Sequence, residues 1–160
     1  MSNPPTAIRA NEAPPRAKSS HLPAPFSSMM TDRVKRPLGD IFGLASFGVN
    51  HVRLPAGAVS ALHHRHSVQN EFVFVVSGAI TLIHDAGETK LTAGMCIGFA
   101  RGGTAHHLEN RSGEEATYLE IGDRPPRDKI EYPRDDIQAI VGSEGKSRFA
   151  HKDGTPYKYP

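Results

Sequence analysis

Between about Ala45 and Gly122 the apolar residues come in short runs separated by Gly, Asn or Asp, and no stretch keeps a 3.6-residue period. Short apolar runs punctuated by turn residues predict an antiparallel all-β sandwich or barrel. The pattern places strands over Phe47–Leu54, Val59–His66, Glu71–Ser77, Ala79–His84, Thr89–Leu91, Met95–Ala100, Ala105–Asn110 and Thr117–Ile121. "HDAGETK" has the short glycine-containing turn of a hairpin, and "LTAG", ending at Gly94, reads as another tight turn. The run Glu71–Val76 is apolar on both faces, because Val73 and Val75 alternate with Phe72, Phe74 and Val76. If one face lines a barrel, the other also needs cover, and the expected cover is a partner subunit or the N-terminal segment.

The flanks read differently. Residues 1–30 carry Pro4, Pro5, Pro14, Pro15, Pro23 and Pro25 among Ala, Ser and Asn, which predicts an irregular, proline-rich arm. "KRPLGDIF" leads into a folded body expected over 31–125. Residues 126–160 form a turn-rich, charged C-terminal extension expected to pack on or near that body, with "IQAIV" as a short strand or half-turn and "HKDGTPYKYP" as a tail.

A chain of 160 residues is one domain's worth and can bury a core without staples. Its single cysteine, Cys96, rules out an intramolecular disulfide and sits in an apolar run, where a core position is expected. The formal charge is +2 with both signs interspersed, so the basic stripe that a phosphate backbone demands is missing and no nucleic-acid partner is expected. No run of 18 apolar residues offers a membrane span, and no signal-peptide core is visible near the start, so a cytoplasmic location is expected.

The chemistry concentrates in two places. In "GAVSALHHRHSVQNEFVFVVSG" three histidines lie within four positions, and side chains two apart on a strand share a face, so His64 and His66 project together. His63 then projects the other way, at the rim. Strand spacing of about 4.8 Å allows Glu71, just beyond the next turn, to join the two imidazoles on one ion. In "GMCIGFARGGTAHHLEN" His106 shares a face with Leu108 while His107 shares one with Glu109 and Arg111, which makes His106 the better ligand and His107 a residue of the wet face. Three imidazoles and a carboxylate leave coordination positions open and suit one divalent ion of Fe, Mn, Ni, Co or Zn. Arg101, just ahead of this cluster, could reach a carboxylate or phosphate of a substrate, although a water-facing side chain is the default expectation there. Tyr118 and Glu120 share a face that the pattern places on the outside.

These two stretches resemble the motifs of the cupin superfamily. The first motif runs glycine, spacer, H-x-H, a short gap, glutamate, six residues, glycine, and is matched by Gly57, His64, His66, Glu71 and Gly78. Gly94, Gly103, His106 and Asn110 match the second. The chain departs from the pattern in one extra residue between Gly57 and His64, in Ala100 where the second motif has proline, and in one extra residue before Gly103. The resemblance implies a jelly-roll β-barrel, a metal held by His64, His66, Glu71 and His106, and a homodimer. It also implies an enzyme acting on a small polar molecule, a sugar or small acid, by dioxygenation, decarboxylation or isomerisation. The alternative is a non-catalytic sugar-binding or sensory barrel.

Overall fold

The computed structural model describes residues 4–18, 20–141 and 147–157; the extreme ends of the expected arm and tail, 1–3 and 158–160, lie outside the described residues. A strand β1 (Val34–Pro37) and one helical turn α1 (Leu38–Ile41) lead into β2 (Phe47–Leu54). There follow β3 (Arg65–His66), β4 (Glu71–Ser77), β5 (Ala79–His84), β6 (Gly87–Thr92), β7 (Cys96–Phe99), β8 (His106–Glu109) and β9 (Ala116–Asp123). The chain closes with β10 (Ile130–Glu131), β11 (Gln138–Val141) and β12 (Ser147–Ala150). Neighbouring strands pair antiparallel in three sheets, ordered β1-β2-β9-β4-β7, β6-β5-β8 and β12-β11-β10-β3. Among the described residues no helix is long and apolar enough to cross a membrane.

The first two sheets face each other across the core, and strand periodicity decides what enters it. Val52, Leu54, Val73, Val75, Tyr118 and Phe99 from one sheet meet Ile80, Leu82, Leu91 and Leu108 from the other. Along the same inward rows the character changes toward one end of the barrel. Val52 and Tyr118 are register partners, then Asn50 and Glu120, then Gly48 and Gly122, with Glu71 opposite Gly122 on the other side. The sheet therefore grades from packed hydrocarbon to polar groups to glycine. At Gly122 a Cβ would stand 2.6 Å from the Gln69 amide nitrogen and 3.3 Å from the Asn70 carbonyl, so a side chain there would displace Gln69.

Outward, the same strands form an apolar face. Phe72 lies beside Ile121 and Phe74 lies between Leu119 and Cys96. Phe72, Phe74 and Val76 remain exposed, so the N-terminal segment does not cover them. That segment packs elsewhere: the Arg16 amide donates to the Lys35 carbonyl, and Leu22, Phe26 and Met30 join Leu62, Tyr132 and Ile137 in a second apolar cluster with Phe149 and Tyr157. Cys96, expected in the core, is exposed because on β7 it is Ile97 and Phe99 that point inward.

The predicted strand Val59–His66 is realised only at Arg65–His66. Upstream, Val59 bridges to Glu109 and His64 to His106. At Arg65 the chain leaves β8 and pairs with β10, so one continuous ladder is not available to it. A β-bulge between Val75 and Ser77 and a positive φ of 74° at Gly78 end β4, and a Cβ at Gly78 would lie 2.8 Å from the Ala116 backbone.

Asn110 ties three segments. Its buried Nδ2 donates to the carbonyls of Leu54 at 2.7 Å and Glu114 at 2.8 Å, and its Oδ1 accepts from the Ser112 amide and hydroxyl. Asn110→Ala takes this donor from the buried Leu54 carbonyl and should cost about 1–3 kcal/mol of stability, read as a lower denaturant midpoint at unchanged slope.

Candidate metal centre

At the polar end, β3 and its approach, the start of β4, and β8 bring four side chains together. Glu71 Oε2 lies 3.3 Å from His106 Nε2, 3.5 Å from His66 Nε2 and 3.7 Å from His64 Nε2. His64, His66 and Glu71 offer donor atoms that all fall within 4.8 Å of one another. His64 and His66 share a face, as the period of two requires, and the loop 67–70 returns the chain so that Glu71 heads the inward row of Val73 and Val75.

The outer nitrogens fix each ring. His64 Nδ1 is 2.9 Å from the Leu62 carbonyl, His106 Nδ1 is 3.3 Å from the Thr104 carbonyl, and His66 Nδ1 pairs with the Asp128 carboxylate. Since those oxygens only accept, each Nδ1 carries the proton and each Nε2 is turned toward Glu71. Phe99, the register partner of Glu71, stacks on the His106 ring with centroids 3.3 Å apart and planes within 1°.

Charge is concentrated here against the cost of burial. Burial works against ionisation of Glu71, but His106 and His64 as hydrogen-bonding neighbours and the potential of His66 outweigh it and hold the carboxyl far below the usual range. At His64, burial opposes a proton, yet Glu71 and the Leu62 carbonyl prevail and raise its pKa. Glu71 Oε2 is nevertheless buried without a well-formed hydrogen bond. Donors about 2.1 Å from a common ion stand about 3.0–3.4 Å apart when adjacent and about 4.2 Å when opposite. Only the His106 separation falls in the adjacent range, and those of His66 and His64 lie just beyond it; with the orphaned oxygen, the set suits a divalent cation after a small inward movement of the two rings.

Several placements differ from the sequence expectations. His63 is buried rather than at a solvated rim, and His107 is buried rather than wet. Their Nδ1 atoms are 3.0 Å apart, and their Nε2 atoms pair with Asp85 and Glu109. The outer face of β8 is covered by the segment before β3, which strand parity alone does not reveal. Tyr118 and Glu120 point inward: Tyr118 is 1% exposed, and Glu120 pairs with Lys35 and accepts from Asn50 Nδ2 at 3.2 Å. Arg101 is exposed and does not line the cavity.

Asp128 is the residue the sequence pattern misses. Besides His66 it accepts from the Ser67 hydroxyl and the Val68 and Gln69 amides, shaping the loop between His66 and Glu71. It lies in a turn-rich stretch with no motif of its own, and only the pairing of β3 with β10 brings it to the site.

The site opens into a cavity of about 330 Å³, lined also by Arg16, Arg33, Lys35, Asn50, Tyr118 and Glu120.

Asp128→Asn should weaken divalent-metal affinity about 10–100-fold in a chelator competition, because the carboxylate that orients His66 is lost. A second outcome concerns acid stability. The Asp85 carboxyl is lowered from 3.8 to about 2, chiefly by its hydrogen bond with His63, then by the Ala105 amide. A depressed carboxyl stabilises above its unfolded pKa, and the contribution fades as pH falls through the folded value. The stability gap between the protein and Asp85→Asn should therefore be constant above about pH 5 and close between pH 4 and 2 in acid titrations of unfolding.

The cupin domain family matches residues 50–122 of the chain. Among solved structures, a sugar phosphate isomerase of the cupin superfamily from Silicibacter pomeroyi is 36% identical with a TM-score of 0.85, over 95% of this chain and 96% of that one. A protein described only as a candidate sugar phosphate isomerase, from Acidithiobacillus ferrooxidans, is 26% identical with a TM-score of 0.70, over 80% and 81% of the two chains. A polyketide cyclase from Streptomyces resistomycificus shares the fold at 17% identity and a TM-score of 0.64, over 79% and 84%. No curated protein sequence matches the chain.

Proposed function

The chain belongs to the cupin superfamily, and from that premise we propose that it is a mononuclear-metal enzyme that isomerises a small sugar-type molecule, with His64, His66, Glu71 and His106 as the metal ligands. The observation that carries the reading is the convergence of three Nε2 atoms on the orphaned Glu71 oxygen at the floor of a ligand-sized cavity. Isomerisation is preferred over dioxygenation or decarboxylation because the Silicibacter pomeroyi protein, similar along nearly its whole length, is a sugar phosphate isomerase.

A divalent ion bound there supplies Lewis-acid polarisation of a substrate oxygen. The remaining work falls to the chain's own groups. Leu62, Thr104 and Asp128 keep the three imidazoles in the tautomer that presents Nε2. Phe99 and Val73 wall the ion site with hydrocarbon and limit water. Glu120 offers a buried carboxylate: burial would raise its pKa, but Lys35 reverses this and keeps it ionised, so it can orient a substrate hydroxyl by accepting its hydrogen bond.

The homodimer belongs to the same proposal, with the outward row of Phe72, Phe74 and Val76 as its contact. A light-scattering mass of one chain would remove it.

The test is metal analysis of the purified protein, followed by NMR of sugar phosphates in D₂O under strict anaerobiosis. Interconversion of aldose and ketose, with deuterium entering at the carbon beside the carbonyl and activity lost on chelation and in His106→Ala, is the expected result. Consumption of dioxygen instead would make the protein an oxygenase. Tight sugar binding without turnover would make it a binding barrel.

A further inference from the structure

We propose that the cavity contains a second subsite, distinct from the metal ligands, in which Arg16, Arg33 and Lys35 with the Tyr118 hydroxyl take the phosphate group of a phosphorylated substrate. The inference deepens the isomerase reading and rests on it for the identity of the rest of the ligand, but its observations are independent of the metal.

The first observation is charge. Arg124, at the rim, is paired with Asp40. The other charged groups of the wall are Arg16, Arg33 and Lys35 against Glu71 and Glu120, three positive to two negative before any cation joins the imidazoles. Arg33 Nη1 is anchored on the Ser60 carbonyl and Lys35 on Glu120, so both cationic side chains are positioned before a ligand arrives. Burial lowers the pKa of Lys35, the Glu120 carboxylate opposes this, and the positive charges of Arg33 and Arg16 add to the lowering. Cations close enough to disfavour one another in a partly dry cavity gain from a shared dianion.

The second observation is Tyr118. It is almost fully buried, it lines the cavity, and its hydroxyl completes no hydrogen bond although Ser60 is beside it. A buried hydroxyl without a partner costs stability, so its retention at a cavity wall marks a place where a ligand oxygen completes the bond.

The third is provenance. Arg16, Arg33 and Lys35 all precede residue 50, where the match to the cupin domain begins. The ion site comes from the shared barrel, whereas the cations come from the N-terminal segment and β1, held in place by the Arg16–Lys35 backbone bond and the second apolar cluster.

The test titrates the purified protein, at measured metal content, with inorganic phosphate, ribose 5-phosphate and ribose by calorimetry. The phosphorylated sugar is expected to bind at least about tenfold more tightly than ribose, with affinity falling as salt rises. Tyr118→Phe removes only the hydroxyl. It should lose about three- to tenfold for both phosphorylated probes and nothing for ribose, with thermal stability unchanged or raised. A purely structural tyrosine would show neither selectivity. Arg16→Ala with Arg33→Gln, which removes both guanidinium charges, should lose about 30-fold or more for phosphate at unaltered metal content. Each titration is repeated after chelation, because phosphate can also occupy a metal. Affinity that survives chelation and falls in the variants supports the subsite. Affinity that vanishes with the metal, or that the variants leave unchanged, overturns it. A protein that takes up no metal yet keeps variant-sensitive phosphate binding defeats the isomerase reading while leaving the subsite intact.

Discussion

A carboxylate on the inward row of a barrel strand is the constraint from which most of this structure follows. Glu71 occupies the position that Val73 and Val75 continue, and an ionised oxygen there is tolerable only with concentrated positive charge around it. Three imidazoles from two separated segments surround that oxygen, and the charge comes from a second proton on a ring or from a cation held between the rings and the carboxylate. The ring-fixing bonds to Leu62, Thr104 and Asp128 make sure that the correct nitrogen faces the oxygen. The antiparallel barrel is what lets residues far apart in sequence meet within 4 Å.

The inward faces show how a single sheet serves two ends. Branched and aromatic side chains fill the closed end, and Asn50, Glu120 and two glycines open the other. The glycines leave the space, and Asn50 and Glu120 with Lys35 furnish it with fixed polar and charged groups. Flanking segments then finish the cavity. The N-terminal residues contribute cations, while the C-terminal extension contributes Asp128 and, through β10, the strand that receives β3 when it leaves β8. The cupin domain match spans the ligands but none of these additions.

Much of this was legible in the sequence for definite reasons. Short apolar runs bounded by turn residues marked β2, β4 and β5 to the residue, and the period of two placed His64 with His66 because parity within a strand is local information. The histidine and glutamate spacing identified the superfamily. What failed was everything decided by a third element. His107 looked wet because parity opposed it to Leu108, but the segment carrying His63 lies over that face. Tyr118 and Glu120 looked outward because their neighbours on the adjacent strands were not known. Asp128 and Arg33 carry no spacing signal at all, since long-range pairing alone brings them to the cavity.

Strand β4 alternates between two duties, odd positions turning Glu71, Val73 and Val75 inward and even positions placing Phe72, Phe74 and Val76 on the surface. A slide by one residue would exchange the two sets completely, putting an aromatic ring where the anionic oxygen belongs and an acid in the greasy outer sheet. The bulge before Gly78 absorbs length only on the far side of this row. Within the odd-numbered stretch the strand is thus intolerant of any change in length, even where it tolerates changes of side chain, and insertions or deletions in related proteins should be confined to the turns that bound it.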